Sequence, residues 1–402
     1  MVMSTVVIVV TLSLTGMAYV RVQRKVTEMS GDMQDARAGA AAGVEYATTW
    51  IAADLSWRST AAALGGALTP VGIGPCRVQI TLTDPIDGVL DNNLTDPVDV
   101  SASASIGAVN QVYKARLTPT QIPLSSLSVG TAAANSITLT NAVVLGTDRV
   151  HSNVSVLAAN SRVKVPAQAV GTVLGTTFYS GATGLVSALQ MPDALVFDYY
   201  RAIGTEINGA SLAGKRLENV VLSPQSNPYG VANARGVYWI DLGGNDYTVQ
   251  NCRIVGTLVL LNCGAKNNSV IGSGVTWEAA SSGMPALLVQ GAMAFTGTAD
   301  RVSEATIGIN LNPTGTPSGG VANATKTDTY PARIRGLVYV SLNADISGET
   351  AIDGQLIVGN KLNITGSLSV IYDDACFYNP PPGFRAATIM TLVPGSFVRV
   401  VH

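Results

Sequence analysis

The first twenty residues, Met1 to Val20, are mostly apolar and contain no charge. About twenty apolar residues is the length that spans a hydrocarbon core of roughly 30 Å. Beyond Arg21, apolar or small residues recur at Val22, Val26, Met29, Met33, Ala36, Ala40, Val44, Ala47, Ile51 and Leu55, in steps of three or four, close to the helical period. The first proline is Pro70. This pattern predicts one long helix over residues 1–57, apolar at its start and amphipathic afterwards. A cleavable secretory signal needs a basic start, a shorter apolar core and a small-residue cleavage site, and this segment has none of the three. A membrane anchor and an assembly helix that packs against copies of itself both fit. The positions expected to pack are Val6, Val7, Val10, Leu14, Gly16 and Val20 in the apolar half. Farther on, Gly39 and Gly43 flank Ala40-Ala41-Ala42 as a small-xxx-small run, which lets backbones approach closely. That notch serves either another helix or the chain's own domain.

After the helix the pattern changes to alternation. Arg77 to Thr83 and Val98 to Ala104 alternate apolar and polar residues, and Val154 to Val165 do so in part, the signature of half-buried strands. Residues 58–200 are expected to form a β-rich domain. A stricter period follows near the C-terminus. Every sixth position is aliphatic at Ile334, Val340, Ile346, Ile352, Val358, Ile364 and Val370, and Gly336/Gly354 and Gly348/Gly366 fall in register when Ile334 to Ala351 is laid over Ile352 to Ser369. Hexads grouped in threes predict a triangular parallel β-solenoid with eighteen residues per turn. The stretch Ile254-Val255-Gly256-Thr257-Leu258 is a looser copy of Ile352 to Leu356, so the solenoid is expected over 201–375. Within it Asn312 to Pro331 forms a loop excursion, and 376–402 forms a C-terminal cap. The expected fold class is α+β: a long N-terminal helix, a β-rich domain and a C-terminal parallel β-solenoid.

The 402-residue chain is only 12% charged, and 47% hydrophobic with 6% aromatic residues, so its apolar content is mainly aliphatic. Its net charge of −2 offers no basic footprint for nucleic acid. Cys76, Cys252, Cys263 and Cys376 match no zinc spacing. They fit either two disulfides in an oxidising compartment or buried thiols, and Cys252 with Cys263 is the more plausible bridge because both lie in one β-rich stretch. Asp84, Asp87 and Asp91 cluster in one turn near Asp96 and Asp99. Clustered carboxylates can hold calcium, but their spacing is not that of a helix-loop-helix site and equally fits a solvated turn.

Parallel β-solenoids can carry enzymatic chemistry, and the sequence offers a few candidates for it. Glycoside hydrolysis needs two carboxylates about 5 to 9.5 Å apart. The candidates are Asp241 with Asp246, and Asp345 with Glu349 and Asp353; all sit among ordinary turn residues. With His151 and His402 the only histidines, no Ser-His-Asp set is plausible. The expectation is a structural protein without catalytic residues, cofactor or resident metal.

The N-terminus resembles type IV pilins and the related pseudopilins, which share an uncharged start, an amphipathic continuation to about this depth and a β-containing head. Ala36-Arg37-Ala38-Gly39-Ala40-Ala41-Ala42-Gly43-Val44-Glu45-Tyr46-Ala47 resembles the alanine-rich signature of large minor pilins. The segment from Tyr372-Asp373-Asp374 to Asn379-Pro380-Pro381-Pro382-Gly383-Phe384 resembles the ending of large minor-pilin-like proteins with solenoid heads. The resemblance implies an extracellular, cell-surface filament subunit that passes through the inner membrane, is cleaved by prepilin peptidase and partners copies of itself or other pilins. A surface or carbohydrate ligand of the head is left open. Arg21, Arg24 and Lys25 follow the apolar segment, which by the positive-inside tendency puts the head in the cytoplasm unless a basic leader has been removed before Met1. Most family members have glutamate as the fifth mature residue. Thr5 stands there if Met1 is the first, a departure that fits a tip subunit.

Overall fold

The structure, a computed structural model, describes residues 2–400 except 55, 93–95, 121, 176–177, 265–267, 282, 299 and 387–388; the side chains of residues 2–7 also lie outside the description. The chain divides into two compact units, Met1–Ile122 with Ala387–His402, and Pro123–Ala386. The boundary expected near residue 200 therefore falls at 122, and residues 376–402 are no separate cap but are shared between the units.

In the first unit α1 (Val2–Ala53) is a continuous helix, about 78 Å long at 1.5 Å per residue. A short α2 (Trp57–Ala63) follows. Then come β1 (Val71–Ile73), β2 (Cys76–Thr83), β3 (Val98–Ile106) and β4 (Val109–Thr120). These form an antiparallel sheet in the order β1-β2-β3-β4, with both Ile389–Leu392 and Val398–Val400 added antiparallel along β4. Alternation decides the register: Val78 lies opposite Ala104, Ile80 opposite Ala102 and Leu82 opposite Val100, all buried. A one-residue slip would turn this whole set to solvent. Against it pack Ala40, Val44, Ala47 and Ile51 of α1, spaced at three and four residues as one helix face requires.

The second unit is a parallel β-helix with three faces. Its regular coils pair as the hexad pattern aligns them: Ile334 lies opposite Ile352, Val338 opposite Leu356, Ala344 opposite Leu362 and Ile352 opposite Val370. Elsewhere Val237 lies opposite Thr257 and Val150 opposite Ala167, so no single turn length describes the whole stack. The alternation read in 154–165 belongs here as well, not to an antiparallel domain, because Val156–Ala159 pairs in parallel with Ile137–Thr140.

Strand order departs from chain order. The coils between 131 and 169 come first in the chain, but Thr131 lies opposite Leu356, Ile137 opposite Leu362 and Val144 opposite Leu368. After these coils the chain passes through α3 (Leu195–Ile203) to the opposite end of the stack, where Thr205–Glu206 pairs with Val237–Asp241. It then builds coils back toward Thr131. One face is covered: Val196, Phe197 and Tyr200 of α3 pack with Phe384 on Val237, Val259, Leu288, Tyr339 and Ile357. Being buried on both sides, strands such as Thr257–Leu261 are apolar without alternation. The loop excursion is anchored by two buried ionic groups. Arg253 donates to the carbonyls of Leu311 (3.0 Å) and Thr316 (2.6 Å), while Glu304 accepts from the amides of Leu311 (2.6 Å) and Asp328 (3.0 Å).

Candidate functional site

The apolar stripe of α1 has two environments. Ala36, Ala40, Val44, Ala47 and Ile51 are buried, whereas the same stripe is exposed at Val22, Val26, Met29 and Met33. In the apolar half Val10, Leu14 and Val20 are more than half exposed, at 51%, 63% and 63%, and a Cβ at Gly16 would meet nothing within 4 Å. Val6 and Val7 lie on the helix, with side chains outside the described residues. Gly39 and Gly43 separate from this set. A Cβ on Gly43 would stand 2.6 Å from Val78 Cγ1 and 2.9 Å from the Ala102 Cβ, and one on Gly39 would stand 3.0 Å from the Cys76 Cβ. The notch therefore admits the chain's own sheet, not a neighbouring helix. Among the described residues no helix is long and apolar enough to cross a membrane, so the span expected over 1–20, which includes side chains outside the description, gains no support from them.

The acidic turn between β2 and β3 draws its residues together differently from the sequence expectation. Ligand-capable oxygens of Asp84, Asp87 and Asp96 lie within 4.8 Å of one another; Asp96, not Asp91, completes the group. Asp84 accepts from the amide of Ile86 (2.8 Å) and Asp87 from that of Val89 (2.9 Å). The Val89 amide, joined by the Asn92 side chain, holds the Asp87 carboxyl below the usual range, whereas burial, reinforced by the charges of Asp84 and Asp87, pushes Asp96 above it. The Arg58 guanidinium, from α2, donates to the carbonyls of Leu90 (3.0 Å) and Asp96 and stacks 4.6 Å over the Trp57 ring.

The Cys252–Cys263 bridge is not formed: all four cysteines are free and buried. Both of these side chains belong to the β-helix core, where Cys252 opens the strand Cys252–Val255 on one face and Cys263 follows Thr257–Leu261 on another. Burial pushes the Cys263 thiol up to about 12 and Cys252 higher still.

Of the carboxylates expected as hydrolysis candidates, one pair shares a cleft and two others are engaged by neighbouring side chains. Asp241 and Asp246 border a cleft of about 390 Å³ with Glu206 and Lys215, but Asp241 is held below its ordinary pKa by Asn262 (2.9 Å) and the Gly243 amide (2.9 Å), the opposite of what a general acid needs. Asp353 is engaged by Arg333 at 2.6 Å, and Asp345 accepts from Asn363 at 2.8 Å.

The fold thus defines a class by itself: a long helix on an antiparallel sheet, in a chain that also builds a three-faced parallel β-helix. No family model matches this chain, and no curated protein matches it in sequence. Among solved structures it is similar to the competence-associated pilin ComZ from Thermus thermophilus, with 11% identity over 92% of this chain and 97% of that one at a TM-score of 0.30. It is also similar to an ice-binding protein from an Antarctic biological consortium (12% identity, 63% and 91% covered, TM-score 0.24) and to a domain of an ice-binding protein of Shewanella frigidimarina (12%, 63% and 98% covered, TM-score 0.24). Values this low establish no family.

Proposed function

We propose that this chain is a structural subunit of an extracellular, pilin-like filament, assembled through the first half of α1 with the β units facing outward. The observation that supports this reading is the division of one helix into a buried and an exposed apolar half. Side chains from Ile8 to Met33 present Ile, Val, Leu and Met to solvent. Burying such a side chain fully contributes about 1.5–3 kcal/mol, so an isolated subunit in water leaves a large driving force unused. Copies of the same helix are suited to cover this surface up to Val20, because identical uncharged segments incur no unpaired-charge cost on packing together. The proposal extends to residence of the segment in the inner membrane before assembly, to cleavage by prepilin peptidase, and to a role that involves no catalysis.

The test is electron microscopy of sheared cell-surface material combined with mass spectrometry of the N-terminus. Filaments composed of this chain are expected. Its recovery only in membranes, with an unprocessed N-terminus, would remove the reading. One or a few copies at the end of a filament made of another protein would replace it with a tip role.

A further inference from the structure

We propose that the turn joining β2 to β3 holds a hard divalent cation of the calcium class on the carboxylates of Asp84, Asp87 and Asp96. This site is independent of the filament reading, since it lies on the sheet's own connection and needs no second subunit.

Two observations carry the proposal. The first is spacing. Oxygens that lie within 4.8 Å of one another fit ligands placed around one ion, because calcium–oxygen distances of about 2.3–2.6 Å put even opposite ligands only about 5 Å apart. The second is an unsatisfied group. The Asp84 side chain has no exposed surface, and its Oδ2 lacks a hydrogen-bond partner, although a buried carboxylate oxygen ordinarily has one.

Arg58 does not fill that role. Its guanidinium is committed to the carbonyls of Leu90 and Asp96 and stands 4.0 Å from Asp84 Oδ2. Among the described residues Arg58 is the cation set against these three carboxylates, so the turn keeps an excess of negative charge where Asp84 and Asp96 are buried and Asp87 is exposed. Such a nest is stable when a divalent ion replaces the missing hydration. Asp87, on the open side, would close over the ion, and backbone carbonyls and water would complete the six to eight oxygens that calcium takes.

The experiment uses the full chain in detergent, stripped with EDTA and titrated calorimetrically with calcium chloride and, separately, magnesium chloride, with thermal melting followed in parallel. One calcium per chain is expected, with a dissociation constant of about 10⁻³ M or tighter, as in extracellular modules, and a melting temperature raised by several degrees. Asp87→Asn, at an exposed position, should keep the fold and weaken calcium binding at least tenfold. Asp91→Asn, in the same turn but outside the group, should leave binding unchanged. The proposal is overturned by the absence of saturable calcium binding, by Asp87→Asn binding as tightly as the parent, by Asp91→Asn losing as much as Asp87→Asn, or by magnesium binding as well as calcium. Asp96→Asn supplies a second variant in case one substitution disturbs folding.

Discussion

Gly43 shows how residue identity sets the approach of helix to sheet. Adding a methyl group there forces Val78 or Ala102 aside, an overpacking cost of about 1–3 kcal/mol, partly offset by about 0.5–1 kcal/mol gained when glycine leaves a helix interior. Gly43→Ala should therefore destabilise the first unit by up to about 2.5 kcal/mol in denaturant unfolding. Gly16→Ala, in open space inside the same helix, should not lower that transition, since it meets no overpacking cost and can only gain from the loss of a helix-interior glycine. The sequence marks both glycines alike; only the facing strands distinguish them. Asparagine does similar work at the corners of the β-helix, where Asn141, Asn160, Asn219 and Asn251 adopt positive φ, a conformation asparagine tolerates better than most residues. His151 is buried, and burial lowers its pKa below the ordinary value of 6.5. In the unfolded chain it gains a proton near that value, so the folded state binds fewer protons there. Stability of the second unit should be level above about pH 6.5 and decline as pH falls below it. Melting curves against pH check this: His151→Gln should flatten that part of the profile, and an unchanged slope would exclude the role.

At the scale of elements, the join within the β-helix is the least local feature of the chain. Leu362 is buried between Ala344 and Ile137 in register, so Leu362→Ala removes core volume at a seam closed by strands far apart in sequence. The expected loss is about 2–5 kcal/mol. Hydrogen exchange should show weakened protection in 131–146 as well as in 349–371. Protection lost only in the latter segment would contradict the seam. An asparagine ladder crosses the same join: Asn135 donates to Asn360 (3.2 Å), which donates to Asn343 (2.9 Å). The hexads of 334–370 were legible because each aliphatic position points inward at a fixed interval. The coils of 131–169 were not, because their turns differ in length and alanine and threonine occupy positions that isoleucine and leucine hold elsewhere. Nor was α3 anticipated, since its apolar face is short and gains meaning only against the outward side chains of the strands beneath it.

For the whole molecule, the proposed assembly has a direct consequence. Val10 and Leu14 are exposed in the single chain, so Val10→Asp or Leu14→Asp should leave the melting of both units unchanged. Burying an aspartate among apolar helices costs about 3 kcal/mol, equivalent to roughly a hundredfold in assembly equilibrium. Filament yield after shearing should fall accordingly, with the variant still expressed and folded. Filaments at parental yield would show that these side chains are not in the polymer interface.

Composition and spacing by themselves determined the long helix, its unbroken register, the strands of β2 and β3 and the regular C-terminal coils, because those properties depend on neighbours a few residues away. The tertiary structure decided what each surface meets. It assigned Gly39 and Gly43 to the chain's own sheet, kept Cys252 and Cys263 as separate buried thiols and replaced Asp91 with Asp96 in the acidic group. It also carried the last strands back to β4 and placed the early coils beside the late ones. Each of these depends on contacts between residues distant along the chain, whose pairing is fixed by which apolar faces can be buried together, and a periodicity measured along one strand or helix does not contain that information.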